Sequence, residues 1–256
     1  MDTSFFSPFG LQQKKLADHL LKLYSSRHVD AEIANKVIAA VDSLSPTSFK
    51  TIQDRKLESF QASDRDTSHL EFCHHILKAV KLYTTFYKKD DRTIDTSEDK
   101  TEASRNILDI GSGSGAFAFV CNSLGHHATG MEHPRSNKAE RLTQLNYLLS
   151  DWYDVRVIPH TIESRARLPV ADATFDDFSI LYPTFYRRWT ELDWDFLLAD
   201  LARCATKEHS KLYLRISKQK IKKNGEVTFP HGGFLKSVAK VEHSRIRDKC
   251  YVIDLT

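Results

Sequence analysis

Residues 107–120, ILDIGSGSGAFAFV, constrain the fold more than any other stretch of this chain. Ile107, Leu108 and Ile110 surround Asp109 in a short apolar run that reads as a buried strand. Gly111, Gly113 and Gly115 then recur at every second position, and a second apolar run starts at Ala116. Glycines placed there let the turn take dihedrals closed to other residues, and they let a bound molecule approach the main chain closely. A helix opening at Ala116 presents its unpaired N–H groups to whatever the turn holds. Strand, glycine turn and helix together announce a parallel α/β unit that binds its ligand beyond the carboxyl end of the strand.

The chain around this stretch agrees with that architecture. Further strands are expected at Ala128–Glu132, Val155–Ile162, Phe178–Tyr182 and Lys211–Ser217, besides Asn106–Ile110 itself. Helices are expected between them at Ala116–Leu124, Ser136–Ser150 and Trp194–Ala205. Short apolar runs alternating with amphipathic helices imply right-handed crossovers and a mostly parallel sheet. The tail departs from the alternation: Val238–His243 and Lys249–Leu255, joined by SRIRD, read as an antiparallel hairpin closing one sheet edge.

The first 90 residues read as helices. Leu16, Leu20, Leu23 and Tyr24 recur at helical spacing. Asp30 suits the N-cap of a second helix bearing Ile33, Val37, Val41 and Leu44 and stopped by Pro46. Phe49, Ile52 and Phe60 suggest a third, and Ser68–Tyr87 a fourth with Ile76, Val80, Tyr83 and Tyr87 on one stripe. Residues 88–104 carry only Ile94 and Ala103 as apolar side chains, too few to offset the entropy of ordering. The expected organisation is therefore a helical lid or substrate subdomain at 1–90, a polar linker at 91–104 and an α/β domain at 105–256.

Composition narrows the function classes. Lys and Arg number 37 against 34 for Asp and Glu, so a net charge of +3 disfavours a strongly basic nucleic-acid binder. No apolar run is long enough to span a membrane, and MDTSFFSPFG lacks the basic start and apolar stretch of a secretory signal. Cys73, Cys121, Cys204 and Cys250 are far apart among apolar residues, as expected of buried thiols in a reducing cytoplasm.

The glycine turn also fits GxGxxA, a dinucleotide fingerprint. Asp109 argues against that ligand, because a carboxylate two residues before the first glycine would repel a pyrophosphate. It suits a ligand carrying an ammonium group, as the methionine part of S-adenosylmethionine does. Glu132 ends the second expected strand, roughly 20 residues further on, where an acid can hold ribose hydroxyls.

On these residues the chain resembles the class I, Rossmann-like S-adenosylmethionine-dependent methyltransferases. LDIGSGSGAFA resembles the family's first motif, GMEHP the acidic end of its second strand, and RLPVADATFDDFSILYP (167–183) the segment before its fourth strand. WTELDWDFLLADLARCATKEHSKLYLRIS is similar to poorly characterised bacterial members. The resemblance covers about residues 105–255. It implies a doubly wound, mostly parallel seven-stranded sheet whose last strand is antiparallel. It also implies roles: Asp109 toward the methionine amino group, Gly111, Ser112, Gly113 and Gly115 under the cofactor, and Glu132 on the ribose. His133, Ile162 and Glu163 would surround the adenine, and Leu181 would floor the site beside the methyl group. HTIESRARLP departs from the family's usual Gly-Asp, which weakens the Ile162 and Glu163 assignment.

Substrate contacts are expected from LYPTFYRRW, with Tyr182, Tyr186, Arg187 and Trp189 after the fourth strand, and from Arg215 and His75. Aromatic and arginine side chains there can sandwich a planar or anionic acceptor. Phe185 and Trp189 have an equally good reading as helix-packing residues. His74–His75 and His126–His127 are neighbours that point different ways, so no metal site is expected. No catalytic residue is assigned. The expected acceptor is a small molecule and the expected state a monomer or homodimer. The alternatives are an RNA methyltransferase, for which the basic run RISKQKIKKNG (215–225) speaks, and a non-catalytic S-adenosylmethionine-binding module.

Overall fold

The computed structural model describes Leu20 and residues 31–44, 68–90, 104–134, 141–183, 185–206, 210–217, 232–239, 241–244 and 248–255. The expected first and third N-terminal helices (Leu20 apart), the Asp30 cap, the linker at 91–103 and most of RISKQKIKKNG lie outside the described residues.

Helices α1 (Ala31–Asp42) and α2 (Ser68–Asp90) come first, then β1 (Asn106–Ile110), α3 (Ala116–Ser123), β2 (His127–Glu132), α4 (Arg141–Trp152), β3 (Val157–Pro159) and β4 (Asp177–Leu181). A 3-10 turn (Phe185–Arg188) leads to α5 (Glu191–Cys204), β5 (Lys211–Ser217), α6 (Gly232–Val238), β6 (Val241–Ser244) and β7 (Asp248–Asp254). The strands form one sheet in the order β3-β2-β1-β4-β5-β7-β6. β1 runs parallel to β2 and β4, and β4 to β5, while β7 is antiparallel to both β5 and β6.

Among the expected boundaries that move, three do so for a plain local reason. α2 continues past Tyr87 to Asp90, so Lys88 and Lys89 belong to the helix rather than to the linker. β3 is shorter than Val155–Ile162: the Val155 N–H donates to the Ser150 carbonyl at the end of α4, and Pro159 has no N–H to offer a ladder. The hairpin's first strand starts at Val241, because α6 takes the chain through Val238.

The chain divides into two compact units, neither of which is continuous. One comprises residues 1–103, 113–126 and 135–157, the other 104–112, 127–134 and 158–256. In the first, α2 packs along α3 through a stripe that includes Ile76, Val80, Tyr83, Phe86 and Tyr87, all buried. Burying each such side chain contributes about 1.5–3 kcal/mol. Tyr83 and Tyr87 stack at 4.8 Å, and the Tyr83 hydroxyl lies 2.8 Å from His126 Nε2. In the second unit the core joins Leu108, Ile110, Met131, Phe178, Ile180, Leu212 and Leu214 of the strands to Trp194, Leu197, Leu201 and Cys204 of α5. Cys121, Cys204 and Cys250 are free thiols and buried, and burial pushes Cys204 up to about 11. No described helix is long and apolar enough to cross a membrane.

Candidate functional site

The site is built at the carboxyl ends of β1, β2, β4 and β5 in the sheet unit. Leu108 and Ile110 lie in the core, so alternation along the strand turns Asp109 to the opposite face. Asp109 is nevertheless only 1% exposed, and its Oδ1 accepts a hydrogen bond from Ser179 Oγ at 2.6 Å. Ser179 occupies the register position opposite it on β4. Burial pushes the Asp109 carboxyl up to about 7, opposed by the Ser179 hydroxyl and reinforced by the Glu132 charge.

After β1 the N–H groups of Gly111 and Ser112 both donate to the Met131 carbonyl, at 2.8 and 3.0 Å. The turn is thereby fastened to β2. Ser112 Oγ is buried without a hydrogen-bond partner among the described residues, which marks a donor position meant for a ligand or a water. Gly113 has φ +54°, and a Cβ there would meet nothing within 4 Å. Gly115 has φ +75° and precedes α3, and a Cβ there would lie 2.8 Å from Ser150 Oγ. The two glycines therefore serve different ends: Gly113 borders open space, whereas Gly115 admits a neighbouring side chain.

Glu132 ends β2 half-buried, and its carbonyl accepts the His160 N–H at 2.8 Å. His133 is exposed, with Nδ1 3.1 Å from the Pro134 carbonyl oxygen. Ile162 packs on the core, while Glu163 is exposed. The loop that follows is clamped to the start of α5. Asp193 accepts from Ser164 Oγ (2.6 Å), Arg165 Nε (2.9 Å), Thr190 N–H (2.6 Å) and Thr190 Oγ1 (2.7 Å). Those donors hold its carboxyl well below the usual carboxylate range, the Ser164 hydroxyl first among them.

Leu181 is half-buried at the end of β4. The next residue, Tyr182, takes φ +56°, an uncommon conformation for a bulky side chain. Its N–H donates to the Arg215 carbonyl at 2.7 Å, and the buried Arg215 guanidinium lies 5.0 Å over its ring. Tyr186 and Trp189 are buried and packed: Trp189 lies 5.0 Å from Phe185 and 5.4 Å from Trp194, and Tyr186 5.9 Å from Trp194. Phe185 also reaches back to within 3.9 Å of where a Cβ on Gly111 would stand. The main chain of Arg187 lies in the 3-10 turn, and its side chain is outside the described residues. His75 is exposed on α2, in the other unit.

The structure thus groups Asp109 with Glu132, Tyr182 with Arg215, and Tyr186 with Trp189; His133, Glu163 and His75 stand exposed. Ser179 was not singled out as a site residue by the sequence. His160 Nε2 is buried without a hydrogen-bond partner among the described residues, beside the chain end of β2. No sequence signal marks Ser179, the one hydroxyl in a strand that reads as an unbroken buried run. Among the described residues no three His, Cys, Asp or Glu side chains are grouped to hold a metal. At the end of β1 the sheet unit thus carries a buried carboxylate, Asp109, followed by an orphaned hydroxyl at Ser112.

No protein-family model and no curated protein matches the chain. Among solved structures it is similar to the PH0226 protein from Pyrococcus horikoshii OT3. The two share 14% identity and a TM-score of 0.51 over 78% of this chain and 97% of that one. A SAM-dependent methyltransferase from Aquifex aeolicus aligns over 71% of this chain and 98% of its own at 16% identity, with a TM-score of 0.42. The strand order, with the antiparallel β7 between β5 and β6, and the glycine turn after β1 belong to a mostly parallel α/β fold, which the chain shares with the PH0226 protein.

Proposed function

We propose that the chain is an S-adenosylmethionine-dependent methyltransferase acting on oxygen or nitrogen of a small-molecule acceptor. The observation that carries the reading is Asp109: a buried carboxylate at the end of β1, held by one hydroxyl, directly before the glycine turn. Such a group recognises a cationic amine far better than a phosphate. Bound S-adenosylmethionine supplies an electrophilic methyl group whose in-line displacement depends mostly on positioning. Asp109 binds the amino-acid end, Ser112 offers a hydroxyl beside it, and Glu132 accepts from the ribose. Leu181 forms the floor, with Ile162 toward the base.

Acceptor recognition is assigned to Tyr182 and Arg215, whose stacked pair stands at the ends of β4 and β5. Tyr186, Trp189 and Arg187, in the segment that follows β4, are assigned to the same acceptor. A general base is needed only where the acceptor carries a proton at the moment of attack.

Calorimetry tests the cofactor directly. S-adenosylhomocysteine should bind with a micromolar Kd, roughly −8 kcal/mol. Binding of NADH in place of the nucleoside sulfide would sink the reading. Incubating lysate fractions with methyl-labelled S-adenosylmethionine then identifies the acceptor; label in RNA rather than in a metabolite would reassign the substrate class.

A further inference from the structure

Asp109 and Ser179 face each other across β1 and β4, 1% and 0% exposed. An ionised carboxylate has room for about four hydrogen bonds, and away from water it must be paired or neutralised. Among the described residues Asp109 has one hydrogen bond, from Ser179. The main-chain donors that follow it in the turn, of Gly111 and Ser112, are both committed to the Met131 carbonyl. The charged groups on the flanking strands give no relief. Glu132 on β2 is a like charge, and Arg105 is paired with Asp177 at the other end of β1 and β4, at 2.8 Å. The helix that follows the turn, AFAFVCNS, contributes no charged side chain.

We propose that Asp109 carries a proton in the ligand-free protein and surrenders it when a cationic amine docks against it, with Ser179 as the positioning residue that holds one carboxyl oxygen fixed throughout. The inference rests on the S-adenosylmethionine reading and deepens it. In the exchange the O–H bond at the other carboxyl oxygen breaks and its proton passes to solvent. The electron pair stays on that oxygen, which then accepts an N–H of the incoming ammonium group. The pair is uncharged before and charge-balanced after, so the buried site never holds an uncompensated charge. The rise of the Asp109 carboxyl to about 7 agrees with this.

The test is calorimetry of S-adenosylhomocysteine binding to the full chain in phosphate and in Tris, whose ionisation enthalpies differ. The difference in observed heat counts the protons released. About half a proton per ligand is expected near pH 7, approaching one near pH 6 and none near pH 8.5. 5′-Methylthioadenosine, which lacks the amino-acid part, should bind without release. Ser179→Ala should move the release profile to higher pH, and Ser179→Thr, which keeps a hydroxyl, should restore it. Without ligand, the Tm of the parent should fall relative to Asp109→Asn as pH rises from about 5 to 8, because the folded state binds more protons than the unfolded one across that window. S-adenosylhomocysteine binding with no buffer dependence overturns this inference and leaves the cofactor reading standing. No binding overturns both, and parallel ligand-free pH curves for the parent and Asp109→Asn overturn the buried proton itself.

Discussion

Gly113 and Gly115 share a left-handed backbone but not a neighbourhood, and this separates their substitution effects. Gly115→Ala meets Ser150 at 2.8 Å on top of the backbone strain, so a loss of about 2–4 kcal/mol is expected by chemical denaturation. Gly113→Ala meets no neighbour, so about 1–2 kcal/mol is expected, with a disproportionate loss of cofactor affinity because the methyl group enters open space. A Gly113→Ala variant with unchanged affinity for S-adenosylhomocysteine would remove that glycine from the site. Glu132→Ala should weaken the same ligand by about 1–3 kcal/mol while leaving the fold intact, since a half-buried strand-tip carboxylate contributes little packing. Asp109, the glycines and Glu132 stand out in the sequence because their types and spacing carry chemistry in one dimension. Ser179 does not, because its role exists only through the register of β4 against β1. Phe185 and Trp189 had two readings from sequence, and the packing reading describes where their rings lie.

Elements whose periodicity reflects burial were read well: β1 and β5 have the expected bounds, and β2, β4, α3 and α5 shift by three residues or fewer at each end. The errors fall where hydrogen bonding rather than apolar pattern decides the end. α5 shows this at its start, which precedes the expected Trp194, because the carboxylate of Asp193 caps Thr190 while holding Ser164 and Arg165 of the preceding loop. The folded carboxyl of Asp193 is held below its unfolded value of about 3.9, so its contribution is complete above that pH and is lost as pH falls toward the folded value. Asp193→Asn should therefore lower Tm at neutral pH, and the gap to the parent should close on acidification below about pH 4. A gap that stays constant down to pH 2 would show that the side chain acts through packing instead of charge.

For the whole molecule, the division expected at residue 91 treats the N-terminal helices as separable. In the helical unit, α2 and α3 share one apolar seam, and α3 is buried from Ala116 to Cys121. Removing residues 1–90 would expose that seam. The truncated chain should lose cooperative unfolding by calorimetry or precipitate, and a soluble, cooperatively melting fragment would return the helices to the status of an appendage. The sheet sets a different condition on the chain. β7 lies between β5 and β6, and among the described residues β6 pairs with no other strand. The polypeptide therefore emerges in an order that the sheet cannot use, since β6 is synthesised with no edge to join until β7 has docked on β5. Until then β5 presents an open edge that a strand of another chain could occupy. Residues 248–254 thus govern when the nascent sheet stops being vulnerable to association with its own copies.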